Sequence, residues 1–220
     1  QTALAVDSGS LVVAGQAGGP WRSVLIRETA TQGTYAVWAR PDVVRCPAAT
    51  GDPLAAGWTL VDAAVPTKVE VRTAVDSATV TDRAQLLSTC EPSGTVRWYR
   101  GTIRAVNDAN GVNRTVNVLP LEQYLRTVIA MEMSPGWADD GGGRGAQALR
   151  AQAVAARSYA LAYPSTISAT TSAYADVCDM VCQSYFGVAY RTAGSTTVRT
   201  VEAAPTDAAV RATAGVVRRV

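Results

Sequence analysis

The sequence predicts an α+β chain: a β-rich N-terminal half followed by a mainly helical core with two central helices. Three observations carry this. Residues 1 to about 118 break into short β-rich runs divided by turn residues. Leu119 to Pro135 carries an apolar stripe at helical spacing. Gly145 to Tyr163 is alanine-rich and apolar nearly all round, the pattern of a buried helix.

Composition narrows the chemistry. The 220 residues allow one large or two small domains with a sizeable core. A net charge of +2 implies no nucleic-acid or polyanion partner. No apolar run is long enough to span a membrane. The chain begins at Gln1 without Met, as a mature or trimmed form would. Histidine is absent, which removes Ser-His and Cys-His nucleophilic pairs and every His-based metal site. Acid–base chemistry then rests on carboxylates or Tyr, and the glutamates are few: Glu28, Glu70, Glu91, Glu122, Glu132 and Glu202.

The four cysteines fall into two pairs, Cys46 with Cys90 and Cys178 with Cys182. An even count points to two disulfides and an oxidising compartment. Cys178 and Cys182 also offer two thiolates to a metal, with Asp176 or Asp179 helping.

Taken in order, Trp21 to Ile26 and Tyr35 to Arg40 read as strands joined through Thr31 to Thr34, a hairpin signal. Residues 41–57 are rich in Pro, Gly and Ala and read as a loop. Val69 to Val71 and Ala78 to Thr81 are further strand candidates. Thr95 to Val106 and Val112 to Val118 flank a second turn, Asn107 to Gly111. The Trp and Tyr residues of this half fit core packing or a sugar-binding surface.

The Leu119–Pro135 stretch organises the second half. Pro120 suits a helix start, and Glu122 falls in the first turn, where a carboxylate meets the positive end of the helix dipole. Leu121, Leu125, Val128 and Ile129 form the stripe, with Glu132 on or beside it. Pro135 ends the helix at Ser134. A carboxylate at a helix C-terminus meets the negative end of the dipole, and apolar neighbours strip it of water. Both effects favour the neutral acid that general acid catalysis needs. A solvated Glu at a frayed helix end is the other reading.

Trp137 to Gly145 follows as a flexible loop, suited to a cleft rim or lid, with Asp139 and Asp140 as a second catalytic carboxylate or as a solvated loop and the N-cap region of the next helix. In the next helix, which Pro164 stops, Leu149, Ala153, Ala156 and Ala160 share one face, and Gln152, Arg157 and Tyr159 need polar partners. Arg157 has Glu122 or Asp176 as candidate ion-pair partners. Residues 165–195 lack periodicity. Asp207 to Ala214 reads as a last short helix, and Gly215 to Val220 as a strand cut off.

Several of these blocks fall together in a known order. Leu119-Pro-Leu-Glu-Gln-Tyr-Leu-Arg126, Ala130-Met-Glu-Met133, Ala148 through Ala160 and Cys182-Gln-Ser-Tyr-Phe-Gly187 resemble the stage II sporulation protein D family, which includes the amidase-enhancer proteins. The resemblance covers about residues 95 to 220 and makes 1–94 a β-rich region of unknown role. It implies a domain truncated at the C-terminus, since relatives continue past Gly215–Val220 into a Ser/Gly-rich segment. It also implies lytic transglycosylase activity on peptidoglycan glycan strands, with Glu132 as the single catalytic acid and base. Gln183 and Tyr185 in the matching segment, with Gln152 and Arg157, become the candidate substrate-binding residues. Some relatives carry a metal near the segment matching Cys178–Cys182 with a His among its ligands; this chain has no His, and no cofactor is expected. The alternative is a binding module that grips peptidoglycan and enhances a partner amidase. Either role implies an exported, cell-wall-associated protein.

Overall fold

The computed structural model describes residues 1–162, 174–179 and 182–218. The expected helix end at Tyr163 and Pro164 lies outside the described residues. The chain forms two compact units: Gln1–Val118 with Arg191–Val198, and Leu119–Tyr190 with Arg199–Val220.

The first unit holds ten strands: β1 Thr2–Val6, β2 Leu11–Val13, β3 Ser23–Glu28, β4 Thr34–Arg40, β5 Thr59–Pro66, β6 Lys68–Thr73, β7 Leu87–Cys90, β8 Val96–Tyr99, β9 Thr102–Asn107 and β10 Asn113–Val118. One antiparallel sheet runs β5-β4-β3-β1-β7-β8, the other β10-β9-β6-β2. Period-two positions from both sheets meet in one core: Leu4 and Val6, Val24 and Ile26, Val69 and Val71, Ile103 and Ala105. The larger sheet also buries its other face, where Ala3 and Leu25 pack with Trp58. Tyr35 is fully buried, and its hydroxyl donates to Asn107 Oδ1 at 2.7 Å. Trp98 is a core residue too, with the Arg83 guanidinium 4.6 Å over its ring. These aromatics serve packing.

Two hairpins follow the turn chemistry. The β3–β4 hairpin pairs Glu28 with Tyr35 next to its turn. In the β9–β10 turn, Asp108 Oδ1 accepts the Asn110 and Val112 N–H groups while Arg114 donates twice to Oδ2. Ala78 to Thr81 is not a strand. The buried Arg100 donates to the carbonyls of Ser77 and Val80, and Ser77 Oγ accepts the Gly101 N–H. A side chain thus takes the place of a β-ladder there. Cys46, in the loop after β4, is bonded to Cys90 at the end of β7.

The second unit contains α1 Leu121–Glu132, α2 Ala146–Ala162 and α3 Ala204–Ala212, with a short antiparallel pair in which Ala189 and Tyr190 of β11 (Ala189–Arg191) meet β12 Arg199–Thr200. α2 packs against both other helices. Its buried face is Leu149, Ala153, Ala156, Arg157 and Ala160, while Ala148, Ala151 and Ala155 are exposed. The expectation of a helix buried nearly all round is therefore corrected. Alanine is common on it because it is the best helix former, on either face. Arg126 on α1 reaches Asp207 of α3 at 2.6 Å and Glu202 at 2.8 Å. The described part of Gly215–Val220 is not a strand, and residues 219–220 lie outside the described residues.

The fold class predicted from sequence is overturned. Two antiparallel sheets dominate, with 31% strand against 24% helix, and no mainly helical core organises the chain. β1, absent from the expected strands, is buried along its whole length, so it reads as an apolar run with no alternation.

Candidate active site

α1 starts with Pro120 at its N-cap and ends at Glu132, where Met133 leaves the helix in an extended conformation. Its buried residues, Tyr124, Leu125, Thr127, Val128 and Ile129, anchor the middle of the helix. Glu132 is one turn past that anchor and is exposed, so the apolar stripe does not enclose its carboxylate.

Two donors hold that carboxylate. Gln152 Nε2, from α2, donates to Oε2 at 2.7 Å. The Ser184 backbone N–H donates to Oε1 at 3.4 Å. Asp139 and Asp140 are also exposed, and among the described residues no hydrogen bond ties either to Glu132. They belong to a structured turn. Pro135–Asp139 forms a 3-10 helix, and Gly141 and Gly142 then turn the chain through left-handed backbone (φ 59° and 71°) before α2. Gly145 has no room for a side chain, because a Cβ there would overlap the Trp137 carbonyl. Met131 and Trp137, 38% and 48% exposed, present apolar surface on either side of Glu132 in sequence.

Behind this surface lies a buried polar layer. Burial alternates along the matching segment: Gln183, Tyr185 and Gly187 are buried, while Ser184 and Phe186 are partly exposed. The Tyr124 hydroxyl donates to Gln183 Oε1 at 3.0 Å, and Gln183 Nε2 donates to the Ala156 carbonyl at 3.3 Å. The Tyr124 and Tyr185 rings lie 5.0 Å apart, tilted by 30°. Burial pushes the Tyr124 phenol well up, and the nearby Glu132 carboxylate adds to the effect. Tyr124 therefore stays a protonated donor, within electrostatic reach of Glu132. Thr127 Oγ1 ties the same helix to the Gly187 carbonyl at 3.1 Å.

Arg157 is 1% exposed. Nε and one Nη donate to the two oxygens of Glu122, each at 2.7 Å. The remaining contacts go to the carbonyls of Ala153, Val210 and Val216. Its five N–H donors all have acceptors within the unit. The Arg157 hydrogen bonds hold the Glu122 carboxyl below the ordinary carboxylate range; partial burial opposes them and the Gly215 N–H adds to them.

Cys178 is bonded to Cys182, just before the Gln183–Gly187 segment. The metal carried by some relatives does not fit this chain. Both thiols are joined to each other and there is no His to serve as a ligand.

Of the residues singled out from sequence, the structure brings Gln152 to Glu132, Arg157 to Glu122, and Gln183 with Tyr185 to Tyr124. Sequence reasoning missed two participants. Ser184 contributes a backbone N–H, which no side-chain pattern announces. Tyr124 had a signal, a Tyr next to Leu125 on the buried side of α1.

The stage II sporulation protein (SpoIID) family profile matches residues 109–219, just over half of the chain. The chain belongs to the SpoIID family. Tyr124, Glu132, Gln152 and the Gln183–Gly187 segment all fall within the part of this SpoIID protein that matches. No curated protein and no solved structure matches the chain. Among the described residues, no helix is long and apolar enough to cross a membrane.

Proposed function

We propose that this SpoIID protein is a peptidoglycan lytic transglycosylase with Glu132 as its single general acid and base. The observation that carries the reading is the state of the Glu132 carboxylate. It is exposed to a ligand, held by two neutral donors, and has no carboxylate partner in hydrogen-bond reach among the described residues. Hydrolytic glycosidases use two carboxylates, one to protonate the leaving oxygen and one to activate water or attack the sugar. An intramolecular reaction needs one. Glu132 donates its proton to the glycosidic oxygen between N-acetylmuramic acid and N-acetylglucosamine as the C1–O bond breaks. The muramyl C6 hydroxyl attacks C1, and Glu132 takes the hydroxyl proton. The acid is regenerated, a 1,6-anhydro ring closes, and no water is consumed.

The substrate is a glycan strand, met at the surface around Glu132. Gln183, Tyr185 and Arg157 support that surface from behind and act on sugar through the groups they position. Two disulfides suit an exported protein working in the cell wall. The test is product analysis after incubation with purified glycan strands, with and without stem peptides. Anhydro-muramyl ends support the reading; reducing muramyl ends make the protein a hydrolase and contradict it. The exposure of Glu132 also favours a second reading, a module that grips glycan and enhances a partner amidase. Intact strands with accelerated peptide release by an added amidase identify that case.

A further inference from the structure

We propose that Gln152 is a positioning residue that divides the labour of the two Glu132 oxygens, with Oε2 anchored and Oε1 free to exchange protons. The inference rests on the catalytic reading of Glu132.

The two contacts are unequal. The Gln152 amide holds Oε2 at 2.7 Å, whereas the Ser184 N–H stands 3.4 Å from Oε1. The short contact comes from the more rigid element. Gln152 sits between Leu149 and Ala153, both fully buried, and Arg157 fixes α2 one turn and a half later through five hydrogen-bond contacts. Glu132 is instead the last residue of α1, with its side chain in solvent. Untethered, a long side chain at a helix end samples many rotamers, and catalysis requires near-attack geometry.

The residue type fits the cycle. Glu132 must act once as acid and once as base. An amide N–H can donate to Oε2 when the group is a carboxylate, and equally when Oε1 carries the proton and Oε2 is the carbonyl oxygen. The anchor therefore survives both proton transfers. A cation in its place would grip the ionised form and resist protonation of Oε1.

Two experiments test this. The first needs no activity: nuclear magnetic resonance of the Gln152 side-chain amide in full-length protein, compared with Glu132→Ala. The expected result is a downfield, exchange-protected amide proton that moves to the position of a solvated glutamine in Glu132→Ala. An amide unchanged by Glu132→Ala overturns the anchor. The second is steady-state cleavage of purified glycan strands. Gln152→Ala should lower kcat on the order of a hundredfold with KM nearly unchanged. Gln152→Met, which keeps the length without the donor, should behave as Gln152→Ala, and serves if the alanine variant folds poorly. Cleavage by wild type with unchanged kcat in both variants overturns the positioning role alone. A rise in KM with unchanged kcat assigns Gln152 to substrate and also overturns it. Absence of cleavage by wild-type protein, with the amide tether present, contradicts the reading of Glu132 itself.

Discussion

The two ends of α1 carry the same side chain under opposite conditions. Glu122, in the first turn, is gripped on both oxygens by the buried Arg157. Glu132, in the last turn, accepts from a side-chain amide and a backbone N–H and meets no cation among the described residues. At the first end, protonation would strand a guanidinium that is 1% exposed. At the second, protonation strands no charge. One glutamate is thus committed to the fold and the other is left available to chemistry. The partner, cation or amide, separates a carboxylate tied into the fold from one open to the chemistry proposed for it.

The largest expected effect comes from breaking the committed end. Arg157→Met should lose about 3 kcal/mol of stability in denaturant unfolding. That lies at the low end for a broken buried pair, because the Glu122 side chain keeps 40% exposure. A loss below about 0.5 kcal/mol would remove the distinction between the two ends.

Next comes Glu122→Gln, at about 2 kcal/mol, since the amide keeps one acceptor for Arg157 but leaves its charge unneutralised. The same residue shapes the acid limb. Its folded-state carboxyl lies below the ordinary value, so its contribution is present above the unfolded pKa, about 4.3, and is lost as pH falls through the folded one. Wild type should therefore lose stability below about pH 4.3 more steeply than Glu122→Gln does. Parallel limbs would contradict the assignment.

A smaller effect is expected at the other end. Replacing Cys178 and Cys182 together by Ser opens a loop of sequence separation 4. Loop-closure entropy puts the cost at about 2 kcal/mol or less. Because the Ser184 N–H follows directly, kcat on glycan should fall while the steep acid limb from Glu122 is kept. A variant that loses that limb would show the two ends to be coupled.

Much of α1 and α2 was legible because helical periodicity is local. So were the β3–β4 and β9–β10 hairpins, whose turn residues announce them. The sandwich of two sheets was not, because pairings such as β1 with β7 join distant segments and strands buried on both faces lose their alternation. At the site, the family motif pointed to Glu132, and the Arg157–Glu122 pair was among the anticipated options. The expected enclosure of Glu132 by the apolar stripe failed, because burial on α1 ends at Ile129, one turn early. Gln183 and Tyr185 were read as candidates for holding sugar or for knitting the domain together. Their side of an alternating segment is the buried one, a register that only the packing against Tyr124 fixes.

The measurement that bears most directly on the account is the cleavage of purified glycan strands by Glu132→Gln, read beside its unfolding curve. Loss of all anhydro-muramyl product, with stability within about 0.5 kcal/mol of wild type, is the predicted result. Wild-type turnover by this variant would remove Glu132 from the chemistry and contradict the account.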